Sequence, residues 1–495
     1  MTSELLRRAR DYENEHLPRI ADGVLPRYHL TGGVGWINDP NGFSRYKGEY
    51  HLFFQYNPYD TKWDAMHWGH VKTRDFIRWE RLPAALAPDE AYDSYGCFSG
   101  SAIELADGRH LLMYTAVREA ALDDGSRTEI QTQCVAFGDG VNYEKYAGNP
   151  VITAADLPEG GSARDFRDPK IWQEDGRFFA VVGDRCPDGS GAILLYESAD
   201  ALSWKLAGTL AESGNRYGRM WECPDFFPLD GSYVLLTSPQ EMQAEGTEFI
   251  DGNTTLCLIG QFDRERARLL RQHEQTIDYG LDFYAPQTVL TEDGRRVMIA
   301  WMQYWNSVDF RPAQDLPFFG QMTVPRELRV KDGRLLQNPV RELEGCRGRA
   351  VRQHDVSLSG ETAFAGVCGR CLDLTVTIRP DAEHGLCRSF TLTVAKGGGY
   401  ETLIRYTPGA HSILVDRSRG GLPDHILNLR EFAVRDRGGA LRLRVLLDRY
   451  SLELFVNDGE QAASFAIYAP ETADAITFAS EGTVRLDLES YELAL

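Results

Sequence analysis

The chain has 495 residues, 43% of them hydrophobic, and carries 73 acidic against 53 basic side chains for a formal net charge of −20. That length exceeds what one core ordinarily fills, so two domains are expected. The charge repels nucleic acid and anionic membrane surfaces at long range, which argues against both as partners.

Residues 1–27 hold Arg7, Arg8 and Arg10, then Asp11, Glu13 and Glu15, without the apolar run of a signal peptide or membrane span. A cytoplasmic protein is expected. Nine scattered cysteines, an odd number, fit free thiols in a reducing compartment. Cys368-Gly369-Arg370-Cys371 is the one C-x-x-C, and lacking a second pair at zinc-ribbon spacing it is not read as a metal site. Leu5, Leu6, Ala9, Tyr12 and Leu17 recur near helical spacing. They predict an amphipathic helix over 4–18, within an N-terminal extension 1–27 that packs on the main body.

From about residue 30 to 330 the segments are short, β-branched and aromatic, separated by Gly and Asp turns. One hairpin signature, a turn ending in glycine followed by two residues and an apolar strand, recurs at Gly48, Gly108, Gly176, Gly231 and Gly294. The intervals of 55 to 68 residues each hold one four-stranded sheet with loops. The array predicts a five-bladed β-propeller over 28–338. Asp332-Gly333 breaks the period and reads as the exit.

Counting back 8 to 10 residues from each glycine lands on Asp39, Ser99, Asp168, Glu222 and Tyr284. If the strand before each hairpin is innermost, these five positions converge on the axis. Three carboxylates then share one funnel ringed by aromatics, a costly arrangement tolerated mainly where function needs it. Beyond residue 345, apolar and polar residues alternate at period two in 372–378, 389–394, 441–447 and 451–456. This pattern predicts an antiparallel β-sandwich over 348–495, reached through a linker at 338–348.

Clustered carboxylates in an aromatic-walled pocket, with no metal-ligand constellation, point to glycoside chemistry. One acid protonates the leaving oxygen while another attacks or activates water. Glu222 lies between Trp221 and Cys223-Pro224, an apolar setting expected to keep it protonated as the acid. Asp39, among Asn38, Asn41 and backbone donors, is expected to be ionised, as a nucleophile must be. Arg167 is expected to hold Asp168 ionised and aimed at substrate hydroxyls.

Together, Trp36-Ile37-Asn38-Asp39-Pro40-Asn41-Gly42, Phe98-Ser99-Gly100-Ser101, Arg167-Asp168-Pro169 and Glu222-Cys223-Pro224 resemble the signature of glycoside hydrolase family 32. That family holds the invertases, sucrose-6-phosphate hydrolases and fructanases, and the resemblance spans both domains. It implies an all-β fold of five-bladed propeller plus β-sandwich, retaining hydrolysis of β-fructofuranosides, and no cofactor or metal. By motif match Asp39 would be the nucleophile, Glu222 the acid/base and Asp168 the transition-state stabiliser. The resemblance also suggests substrate-binding roles for Trp36, Ile37, Asn38, Gln55, Trp63, Phe98, Ser99 and Arg167. Tyr284, at the equivalent place on the fifth blade, joins this set.

Ile37 replaces the methionine common in the family, a volume-conserving swap. His67 and His70 are expected to pack and hydrogen-bond rather than bind metal. Sucrose or sucrose 6-phosphate is the expected substrate, with short fructo-oligosaccharides open. A fructosyltransferase and a non-catalytic fructoside-binding protein are the alternatives. A phosphate would call for a cation at the funnel rim, for which Arg164 and Lys62 are candidates.

Overall fold

A computed structural model describes residues 2–495 except 22, 123, 311, 313 and 314. The N-terminal helix runs Glu4–His16, and the Ser3 hydroxyl caps it by accepting the Leu6 N–H at 3.2 Å. Its buried face is Leu6, Ala9 and Glu13, whereas Leu5, expected on that face, is 40% exposed. Positions 6, 9 and 13 share one helical stripe, and Leu5 lies a quarter-turn off it. No helix among the described residues is long and apolar enough to cross a membrane.

Five antiparallel sheets follow around an axis. Their innermost strands are Gly35–Tyr46, Gly96–Glu104, Arg167–Glu174, Met220–Leu229 and Tyr284–Leu290. Neighbouring inner strands pack in sequence, and the fifth packs on the first, so the ring closes as a five-bladed propeller. The short strand Phe318–Phe319, from within the fifth blade's span of chain, also pairs parallel with Gly35-Trp36 of the first.

The repeated glycine has a local cause. Lys47-Gly48, Asp175-Gly176 and Asp230-Gly231 are two-residue loops with both residues at positive φ (48° and 80°, 49° and 76°, 48° and 81°). This is the type I′ hairpin turn, whose twist matches that of the strands it joins and whose second residue favours glycine. Asp332-Gly333 has the same geometry but joins Arg326–Lys331 to Arg334–Pro339, the two outer strands of the fifth blade. It is that blade's last hairpin rather than an exit, because the turn rule applies to any strand pair, inner or outer.

A 3₁₀ turn, Arg341–Cys346, leads into a ten-stranded sheet. Its spine is the long strand Ala475–Leu493, paired along one edge with Arg347–Thr362. The other edge pairs with Ser389–Gly397 at one end and Leu372–Pro380 at the other, so two arms of strands leave the spine. Leu392, Ile404 and Phe432 from one arm share a single core with Val376, Leu443 and Leu454 from the other.

The two halves meet across buried ions. Arg326, fully buried, donates to Asp278 Oδ2 (2.8 Å), Gln337 Oε1 (2.9 Å) and Glu453 Oε2 (3.2 Å). The other Glu453 oxygen accepts from His29 Nε2 at 2.8 Å and from the Val324 N–H at 2.7 Å. His29 Nδ1 reaches Asp448 Oδ2 at 3.0 Å. Burial pushes the His29 imidazole down, but its bonds to Asp448 and Glu453 outweigh that and raise it to about 9. It is therefore an imidazolium at neutral pH, donating from both nitrogens.

Candidate active site

Every inner strand slips against its partner at the same level of the funnel. The register shifts fall at Ile37/Pro40, Phe98/Gly100, Glu222/Asp225 and Tyr284/Gln287, and opposite Val181/Gly183 on the third blade. Such bulges bend a strand and re-aim its side chains. On blades three to five the extra residue is left-handed, namely Asp168 (φ 67°), Cys223 (49°) and Ala285 (52°), and each precedes a proline. The following ring disfavours a right-handed helical backbone at that residue. Non-glycine residues hold such a conformation at a cost, and they cluster at functional sites.

Arg167, Glu222 and Tyr284 therefore occupy one level, and Asp168, Cys223 and Ala285 the next. Counting back from the hairpin glycine had put Asp168 level with Glu222. The bulge moves it one position on.

A cavity of about 390 Å³ opens over this level. Asn38, Asp39, Gln55, Trp63, Phe98, Ser99, Arg167, Asp168 and Glu222 all line it. Trp36, Ile37 and Tyr284 do not, and each is at most 1% exposed. Trp36 stands behind Asn38, donating its indole N–H to Asn38 Oδ1 at 2.7 Å. Ile37 is part of the hydrophobic core. Tyr284 stands behind Glu222, its hydroxyl 2.6 Å from Oε2 and 3.1 Å from the Ser238 carbonyl.

Asp39 is held from both oxygens. Asn38 Nδ2 donates to Oδ1 at 3.0 Å, and the Ser99 hydroxyl donates to Oδ2 at 2.7 Å. The Cys223 thiol sits between two carboxylates, 3.4 Å from Asp39 Oδ2 and 3.5 Å from Asp168 Oδ2. The Cys223 N–H donates to the same Asp168 oxygen at 3.0 Å, and the Asp168 N–H donates to Thr115 Oγ1 at 2.8 Å. Cys223 was not singled out from the sequence, although it stands next to Glu222 in a quoted motif. Its alignment with Asp168 shows only once the bulges are superimposed.

Arg167 does not serve Asp168 as expected. Its Nε donates to Glu222 Oε1 at 2.9 Å and its Nη1 to Gln131 Oε1 at 3.2 Å. Burial is the largest influence on both aspartates. It pushes the Asp39 carboxyl up against the pull of Ser99 and Asn38. It takes Asp168 to about 7, with Glu222 and Asp39 adding to the rise and Arg167 opposing it. The net push on the Asp39 carboxyl is thus upward, contrary to the expectation from its polar neighbours, because nothing in a sequence reports how deep the group lies.

A folded-state carboxyl raised above its unfolded value loses stability as pH climbs from the ordinary carboxylate range through about 7. Asp168→Asn is expected to raise Tm by a few degrees at about pH 8 and by little at about pH 4, read by calorimetry, while activity falls. An equal change at both pH values would mean that the charge is not what strains the site.

The model of the glycosyl hydrolases family 32 N-terminal domain matches residues 29–339, and that of the family 32 C terminal matches residues 342–493. The chain belongs to glycosyl hydrolases family 32. This family 32 glycoside hydrolase is 38% identical to the raffinose invertase of Escherichia coli over 90% of its own length and 89% of the relative's. It is 34% identical to a sucrose-6-phosphate hydrolase of Escherichia coli over 98% of both chains. Among solved structures it superimposes on a mutant Bombyx mori GH32 beta-fructofuranosidase in complex with sucrose, with TM-score 0.84 and 32% identity. That match covers 100% of this chain and 99% of the other.

Proposed function

We propose that this family 32 hydrolase is a retaining β-fructofuranosidase that cleaves sucrose-type fructosides by double displacement. The observation that carries the reading is the division of labour in the cavity. Asp39 has donors on both oxygens, ready to stabilise negative charge. Glu222 has one oxygen on Arg167 and the other on a tyrosine hydroxyl able to change direction. The similarity to a raffinose invertase and to a structure holding sucrose supports a fructosyl substrate.

Asp39 attacks the anomeric carbon of the fructosyl unit while Glu222 gives its proton to the departing glycosidic oxygen. Asp168 grips fructosyl hydroxyls as charge develops on the ring. Water then enters, Glu222 takes a proton from it, and the oxygen displaces Asp39 to release fructose. Tyr284 has one hydroxyl proton and two oxygens within reach. It donates to the Ser238 carbonyl while Glu222 is protonated and to Glu222 once that proton has left, so each form of the acid keeps a partner.

Cleavage in aqueous methanol tests the stereochemistry. A retaining double displacement delivers methyl β-fructofuranoside, identified by NMR, alongside fructose. The α-anomer would overturn the mechanism. Phe98, at the rim beside Trp63 with ring centroids 5.9 Å apart, offers an apolar face to the sugar. Phe98→Ala is expected to raise KM about 10-fold with kcat within about 3-fold, the pattern of lost uniform binding. A kcat loss larger than the KM change would place Phe98 in the chemical step instead.

A further inference from the structure

The leaving-group side of the cavity can be traced outward from the acid. Glu222 Oε1 accepts from Arg167 at 2.9 Å, Gln131 Oε1 accepts from Arg167 Nη1 at 3.2 Å, and Gln131 Nε2 donates to Glu129 Oε2 at 3.2 Å. Burial falls along this line. Arg167 and Gln131 are buried, Glu129 is half-buried and Arg164 is exposed, yet all four line the same cavity. Asp165 lines it too, 3.6 Å from Arg167 and 3.7 Å from Arg185. Blades four and five contribute Gln240, and beyond it Asn253 and Trp305. Two amides and an indole suit the hydroxyls and C–H faces of an uncharged sugar.

A phosphate dianion calls for several unengaged cationic donors. Arg167 is committed to Glu222 and Gln131. Lys62 does not line the cavity. Arg164 is the lining cation without a carboxylate partner among the described residues, and against it stand Glu129 and Asp165 with the three deeper carboxylates. We infer that the leaving-group half of this pocket accepts an uncharged glycosyl unit and refuses a phosphorylated one, with Glu129 setting the refusal. This rests on the hydrolase reading above. Overall similarity leaves the choice open, since a raffinose invertase and a sucrose-6-phosphate hydrolase are nearly equally alike to this chain.

Raffinose and sucrose 6-phosphate carry their additions on the same glucosyl 6-oxygen, a neutral galactosyl unit in one and a dianion in the other. Comparing them separates charge from bulk. The experiment is fructose release from sucrose, raffinose and sucrose 6-phosphate by the wild-type chain and by Glu129→Lys at low ionic strength. The expected kcat/KM for sucrose 6-phosphate lies about 10-fold or more below that for raffinose, and Glu129→Lys closes the gap by a similar factor. Added salt is expected to raise the wild-type rate on the phosphorylated sugar relative to raffinose, which tests the charge effect without any variant.

Sucrose 6-phosphate cleaved as well as raffinose would overturn the inference. So would equal refusal of both relative to sucrose, which would mean selection by size, or a ratio that neither salt nor Glu129→Lys moves. No fructose from any of the three sugars would bring down the hydrolase reading itself, a result distinct from a changed preference.

Discussion

Asp39→Asn is expected to lower kcat on sucrose by about 10⁴-fold or more, the scale seen when a covalent nucleophile is removed. The amide is close to isosteric and can still accept from Ser99 or Asn38, which now hold the carboxylate at 2.7 and 3.0 Å. The substitution therefore removes the nucleophile without opening a cavity. It also removes one of three clustered acids whose burial pushes Asp39 and Asp168 upward. Tm at neutral pH is expected to stay level or rise. Loss of turnover with an unchanged or higher Tm isolates the chemistry from the fold. An Asp39→Asn enzyme keeping most of its activity would end the double-displacement reading.

Arg326→Met carries the largest expected cost in stability. The guanidinium is fully buried and meets Asp278 and Glu453, both equally buried, across the junction of the propeller and the C-terminal sheet. Removing it strands two carboxylates whose desolvation was matched by the cation, a loss of about 3 to 5 kcal/mol for a broken buried pair. His29 continues the network, and its folded-state value of about 9 lies above that of a free imidazole. Its contribution is whole below about pH 6.5 and fades as pH rises through about 9. Wild-type Tm is thus expected to decline over that interval, and Arg326→Met to start lower and decline further. A variant within about 1 kcal/mol of wild type would show that the network is stabilised mainly by its other hydrogen bonds.

The pattern of hairpins and strands rests on short-range rules. Each of these hairpin loops needs a positive φ at one place, in the type I′ turns at Gly48, Gly176 and Gly231 and in the longer loops at Gly108 (φ 81°) and Gly294 (φ 82°). Glycine therefore marks hairpins wherever they stand, and five such marks at blade-length intervals suffice for a propeller. The period-two alternation beyond residue 345 announced strands for the same reason, since a strand half in the core must alternate. Asp39, Asp168 and Glu222 were legible because each stands in a compact motif with a proline close behind, and Asn38, Gln55, Trp63, Phe98 and Ser99 reach the cavity with them.

The finer geometry of the site depends on neighbours far apart in the chain, which meet only on folding. Counting could not see the bulges that align Asp168 with Cys223, nor that the Arg167 guanidinium turns to Glu222 on the next blade rather than to Asp168 beside it. Trp36 shares its motif with the lining residues Asn38 and Asp39 yet stands behind Asn38, since adjacent residues at a bulge do not alternate regularly, and Tyr284 stands behind Glu222 of the neighbouring blade. The ion cluster joining His29 to Asp448 and Glu453 spans more than 400 residues, and no local pattern in either stretch names the other. Burial is the largest push on the Asp39 and Asp168 carboxyls, and depth is a property of the packed molecule, not of the letters around a residue.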